Sequence, residues 1–180
     1  MMLMYRMIRK RRRSSVTNYR KRISSLKGGM LRVVIRRSNK AIAMQVIEYH
    51  GEGDRIIASA NSKELKGKGW EPRCNIPTAY LTGMLLASKL KDKKLDYVLD
   101  IGLYRPVKGS VIFAAAKGFK DNGANLHESI DFDNARLSGA HIAAYANKDG
   151  AKFTGYAKSG FDAKGIDKKF GEVKEGLSSK

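Results

Sequence analysis

Polar and apolar positions along this chain change period several times. In LRVVIRR (31–37) bases alternate with β-branched residues, which predicts a strand, and AIAMQVIEY (41–49) is its partner. Ser38, Asn39 and Lys40 make the turn, so a hairpin presents Arg36, Arg37 and Lys40 at its tip. GEGD (51–54) turns the chain again, RIIASAN (55–61) reads as a third strand, and KGKGWEPRCNIP (66–77) reads as a loop. The spacing becomes helical from about Pro77 to Leu90. There Tyr80, Leu81, Met84, Leu85 and Leu90 cover enough of the circumference to predict deep burial. LDYVLDI (95–101) follows as a strand, giving a βα crossover unit. GLYRPVKGS (102–110) is a turn, and a second helix runs over about 110–120 with Ile112, Ala115, Ala116 and Phe119 on one face. A third, over 134–147, places Leu137, His141 and Ala144 on one stripe. The expected fold is therefore α/β, a mixed β-sheet with packed helices, in a layout open to a ribonuclease-H-like topology.

The flanks follow other rules. RKRRR (9–13) buries nothing and repels itself, so it does not fold alone. Thr17 or Asn18 caps a short basic helix with Ile23 and Leu26 on its inner side, and Gly28–Gly29 breaks it. Beyond Asn147, Gly150, Gly155, Gly160 and Gly165 fall among Phe153, Tyr156, Phe161 and several lysines. That pattern predicts an extended tail that orders against a partner. Ile166, Phe170, Val173 and Leu177 keep helical spacing for a short terminal helix weakened by Gly171 and Gly176. The chain thus divides into a basic N-terminal arm with a short helix (1–30), an α/β core (31–147) and a C-terminal extension (148–180).

Charge changes this picture most. The 180 residues carry 36 Lys or Arg against 17 Asp or Glu, a formal net charge of +19. Fourteen of those bases fall in the first 47 residues, where no acid occurs before Glu48. An acid-free run of this density predicts a polyanionic partner, and nucleic acid is the obvious one. A membrane is not indicated: the longest apolar run, Val111 to Ala116, is far short of the roughly 20 residues that span a bilayer. MMLMYRMI (1–8) is too short for a signal peptide and reads as an extension ahead of a later start such as Met7. A lone Cys74 allows neither an internal disulfide nor a zinc cluster, which fits a reducing cytoplasm.

Candidate chemistry is sparse outside the bases. Arg forks bind phosphate bidentately, Lys adds point charge, and Tyr19 offers a ring for stacking. Arg105 and Lys108 precede a helix N-terminus, where a phosphate or simple turn chemistry would equally account for them. Asp96 and Asp100 lie four apart on one face of a strand, but a two-metal nuclease needs a third carboxylate. His50, His127 and His141 lack ligand spacing, and His141 reads as a packed core residue. GKGW (67–70) lacks the ending of a phosphate-binding loop, no nucleophile elbow occurs, and Trp70 reads equally as a loop anchor or a stacking platform. The residues predict no enzyme, no cofactor and no metal. A general RNA chaperone or DNA-compacting protein, and a metal-dependent nuclease, remain as rivals.

The ordered set TNYRKR (17–22), RVVIRRSNKAI (32–42), NIPTAYLTGMLLASK (75–89), LDIGLYRPVKGSVIFAAAKG (99–118) and GAHIAAYA (139–146) resembles one family over roughly residues 9 to 175. It is the archaeal and eukaryotic branch of the eighteenth large-subunit ribosomal protein family, which binds 5S rRNA. FTGYAKSGFDAKGIDKKFGEV (153–173) resembles that branch rather than the shorter bacterial form, whereas MMLMYRMI departs from the usual start. The resemblance implies a ribonuclease-H-like but non-catalytic core, in the cytoplasm on the ribosome. It also implies a place in the central protuberance, where 5S rRNA is anchored to the large-subunit rRNA beside neighbouring ribosomal proteins. RNA contacts carry over to Arg9, Lys10, Arg11, Arg12 and Arg13 of the arm, to Tyr19, Arg20, Lys21 and Arg22, and to Arg36, Arg37, Ser38, Asn39 and Lys40 of the hairpin.

Overall fold

The computed structural model describes residues 10–90 and 95–178. The basic tract forms a single turn, α1 (Lys10–Arg13), and a second helix, α2 (Tyr19–Lys27), starts where Asn18 accepts the Lys21 N–H at 3.1 Å. Gly28 caps α2, and Gly29 reverses the chain at φ +64°. β-Branched residues then give β1 (Leu31–Arg37), paired antiparallel to β2 (Ile42–Glu48) with Val33 opposite Val46 and Ile35 opposite Met44. Next, β3 (Arg55–Asn61) pairs antiparallel to β2, with a bulge between Val46 and Ile47. A 3-10 helix, Ser62–Lys68, follows β3 because Asn61 and Glu64 build a capping box at its start. It takes in the first residues of the segment expected to be a loop, which is irregular over 69–75.

After α3 (Ile76–Ser88) the chain crosses over to β4 (Asp96–Asp100), which lies parallel to β1 with Leu31 opposite Tyr97. α4 (Val111–Asp121) and a short β5 (Asn125–Leu126), parallel to β4, complete a five-stranded mixed sheet ordered β3-β2-β1-β4-β5. Three antiparallel strands, a crossover helix and a parallel fourth strand match the ribonuclease-H-like layout. One face of the sheet, carrying Val33, Ile35, Met44, Val46 and Ala60, is buried against the helices. Every residue of α3 from Pro77 to Ala87 is buried, since sheet, α4 and the C-terminal helix enclose it. Each large aliphatic side chain placed there contributes about 1.5–3 kcal/mol. α3 and α4 cross closely because Gly83 and Gly118 carry no side chain. A Cβ at Gly83 would lie 2.0 Å from the Ala115 carbonyl oxygen, and one at Gly118 would lie 2.0 Å from that of Tyr80.

The single helix expected over 134–147 is two, α5 (Asn134–Ser138) and α6 (Ala140–Lys148), broken where Gly139 takes φ +86°. The turn redirects the expected stripe. Leu137 is buried, but Ala144 and His141 are exposed, so His141 is a surface residue and not a packed core histidine.

Beyond Asn147 the chain continues past the α/β core as an extension, but its conformation is folded rather than extended. A 3-10 turn, Gly150–Phe153, leads into α7 (Thr154–Lys158) and a full α8 (Ile166–Ser178). Aromatic packing explains this. Trp70 is buried, with Phe161 and Phe170 edge-on at 5.6 and 6.3 Å, and its indole N–H donates to Thr78 Oγ1 at 2.9 Å. Trp70 is thus the loop anchor. Asn75 donates to the Tyr156 hydroxyl at 2.7 Å, and burial pushes that phenol's pKa up. Ile166, Phe170, Val173 and Leu177 are the buried stripe of α8, despite Gly171 and Gly176.

Candidate nucleic-acid interface

Helix α2 lies against the sheet with its polar side inward. Asn18, Lys21, Arg22 and Ser25 line a cavity of about 220 Å³ whose other walls include Arg32, Arg36 and Leu103. Of the two residues expected on the inner side, Leu26 is half-buried but Ile23 is 54% exposed, with Tyr19 exposed one turn before it. What α2 meets on this part of the sheet is mixed, the apolar Leu99 and Ile101 beside the charged Arg32, Arg36 and Asp100.

That charge is an ordered ladder. Asp54, in the β2–β3 turn, accepts from Arg22 and from Arg32 at 2.8 Å each, through the same carboxylate oxygen. Arg32 is 3% exposed, and its other terminal nitrogen stands 3.5 Å from Asp100 at the end of β4. Asp100 in turn accepts from Arg36 at 3.1 Å and from the Gly102 N–H at 2.8 Å. Arg36 also donates to the carbonyls of Ile35 and Asp100. The sequence Arg22–Asp54–Arg32–Asp100–Arg36 thus alternates in sign, buried at its centre and open to solvent at both ends. Outer pairs as exposed as these contribute about 0–1 kcal/mol to folding. The central arginine is different, because an unpaired buried charge is strongly destabilising.

Other expected contact residues divide by environment. Lys10 and Arg13 in α1, Arg20 and Lys21 in α2, and Arg37, Asn39 and Lys40 on the hairpin are exposed. Arg11 and Arg12 belong to α1, and Arg9 lies outside the described residues. Ser38 is a turn-closing residue: its hydroxyl donates to the Ala41 carbonyl and accepts the Ala41 N–H, both at 3.0 Å. Arg105 and Lys108 are exposed in the β4–α4 turn, which the Tyr104 hydroxyl ties to the hairpin through the Arg37 carbonyl at 2.9 Å. Ser110 precedes α4 without a side-chain capping bond. Neither α1 nor α2 has an acid in its first turn. The positive end of the α2 dipole therefore coincides with Arg20, Lys21 and Arg22, an arrangement that an external anion relieves.

Arg32, Asp54 and Asp100 escaped the sequence reading as site residues. Alternation on β1 puts Arg32 and Arg36 on one face, but their partners come from 22 and 64 residues away. Asp96 has a structural partner, accepting from Asn125 at 2.5 Å with His127 at 3.7 Å. Among the described residues no three His, Cys, Asp or Glu side chains converge to hold a metal, and no helix is long and apolar enough to cross a membrane.

The mixed α/β sheet thus brings a basic helix, a basic hairpin and a basic turn together at one junction. Residues 4–96 match the family described as ribosomal large subunit proteins 60S L5 and 50S L18. Relatives named large ribosomal subunit protein uL18 agree with that match along the chain. The one from Korarchaeum cryptofilum is 40% identical, covering 97% of this chain and 95% of its own. Those from Ignicoccus hospitalis and Methanococcus maripaludis are 44% and 37% identical, over 79% and 92% of this chain and 72% and 92% of theirs. This chain belongs to that ribosomal protein family.

Proposed function

We propose that this protein is a structural, non-enzymatic constituent of the large ribosomal subunit that binds 5S rRNA and attaches it to the large rRNA of the central protuberance. The observation that supports this reading is the junction of α2, the end of β1 and the β4–α4 turn. Lys21, Arg22 and Arg36 line one cavity there, and Arg37 is linked to the turn carrying Arg105 and Lys108. Cations held on rigid elements at fixed spacing suit an RNA recognised by shape, through phosphate and ribose, with unstacked bases available to Tyr19 and Asn39. Arg9 to Arg13 would add reach and charge. Neighbouring ribosomal proteins would cover further surface, and the place of action would be the cytoplasmic ribosome.

The rival reading is a general nucleic-acid binder driven by charge alone. Competition separates the two: labelled 5S rRNA bound to the purified protein should resist excess transfer RNA but yield to unlabelled 5S rRNA. Equal displacement by both would overturn the specific reading. Footprinting of the same complex should protect a compact set of 5S nucleotides.

A further inference from the structure

We infer that Asp54 and Asp100 are specificity-determining residues of the RNA-binding face, although each subtracts charge from a surface built to attract phosphate. This rests on the proposed binding of 5S rRNA and goes beyond it by giving acidic residues a role in RNA selection. Their geometry sets them apart from solvated surface acids. Each is gripped by two arginines: Arg22 of α2 and Arg32 of β1 on Asp54, and Arg32 and Arg36, four apart on β1, on Asp100. The shared Arg32 is buried. It cannot reach RNA, but it locks the two carboxylates to one another across the sheet.

The outer members gain a direction. Arg22 and Arg36 have side chains 35% and 45% exposed, and both line the cavity under α2. A guanidinium has five N–H donors, so each keeps donors for an outside acceptor after meeting its aspartate. Without the aspartates Arg22 would be a mobile cation, able to follow any phosphate backbone, and Arg36 would keep only its bonds to the Ile35 and Asp100 carbonyls. With them, the guanidiniums are fixed in relation to one sheet, and an RNA of the wrong shape finds them misplaced. The entropy of holding each side chain is then lost on folding and not at the moment of binding.

Two opposite signs test this. Simple Coulomb attraction predicts that Asp54→Asn or Asp100→Asn tightens binding of every RNA, since each adds one positive charge. The ladder predicts tighter binding of unstructured poly(U) but weaker binding of 5S rRNA. The loss for each variant should be about 3- to 10-fold, the cost of immobilising one long side chain on binding. Arg36→Lys provides a charge-neutral control: it should reduce the preference for 5S rRNA over poly(U) as Asp100→Asn does. Asp100→Asn should add little further loss in an Arg36→Ala background, because it acts through that arginine. Cooperative melting of each variant checks the fold. If Asp54→Asn and Asp100→Asn strengthen 5S rRNA and poly(U) binding alike, or Arg36→Lys keeps the wild-type preference, the inference is wrong. If the wild-type protein itself shows no preference for 5S rRNA, the functional reading fails instead.

Discussion

Gly83 of α3 and Ala115 of α4 meet backbone to backbone: a Cβ on Gly83 would stand 2.0 Å from the Ala115 carbonyl oxygen. Flexible side chains cannot absorb that overlap, so the helix axes would have to part. Gly83→Ala and Gly118→Ala are each expected to destabilise the fold by about 1–3 kcal/mol or more. At about 2–4 °C per kcal/mol for a chain of this size, thermal melting should show it clearly. A wild-type midpoint for both would mean that the helices are not in this contact.

Helix α2 yields the contrary expectation. Ile23 is exposed where an amphipathic reading buries it, so Ile23→Ala should change stability by no more than about 0.5 kcal/mol. Leu81→Ala, at a fully buried position of α3, should cost about 2–5 kcal/mol. Urea denaturation of the pair measures the difference, and comparable losses would place Ile23 inside.

The C-terminal extension belongs to the folded body through its aromatics. Phe170 packs on both Trp70 and Tyr80, with ring centroids 6.3 and 5.5 Å away. Phe170→Ala should therefore cost about 3–5 kcal/mol in the free protein, before any RNA is added. A tail that ordered only on a partner would show no such loss.

On the hairpin, Arg37 and Lys40 are exposed, whereas three N–H groups of Arg36 are committed to the protein. Replacing Arg37 or Lys40 by Ala should each flatten the dependence of log affinity on log salt by about 0.7–0.9, one phosphate contact apiece. Affinities for 5S rRNA measured across a salt series decide this. Unchanged slopes would turn the hairpin tip away from the RNA.

Glu64 gives the fold an acid-side signature. Burial alone would raise its pKa, but hydrogen bonds from Lys89 and the Asn61 N–H, with the Lys89 charge, outweigh it and hold the carboxyl below its ordinary 4.5. A depressed folded pKa means stability that is present above 4.5 and lost as the pH falls through the lower folded value. The group is largely exposed, so the effect stays under about 1 kcal/mol. Glu64→Gln should melt slightly below wild type at neutral pH and converge with it in acid. A gap that persists in acid would assign the loss to packing.

Local pattern carried much of this protein. The alternation in 31–37, a helix cap at Thr17 or Asn18, the apolar circumference of α3 and the acid-free first 47 residues each depend on near neighbours, and each was legible in the order of residues. Gly139 shows where local pattern failed: helical spacing continues through 134–147, but a left-handed glycine re-aims α6 and leaves His141 in solvent. Contacts between distant segments were beyond that reach. Asn75 meets Tyr156 across 81 positions, and Arg36 meets Asp100 across 64. Periodicity tells which side chains share a face, because backbone geometry repeats from one residue to the next. Which acid faces which arginine depends on strand order and crossover, so the charge ladder and the folded tail exist only once the sheet has assembled.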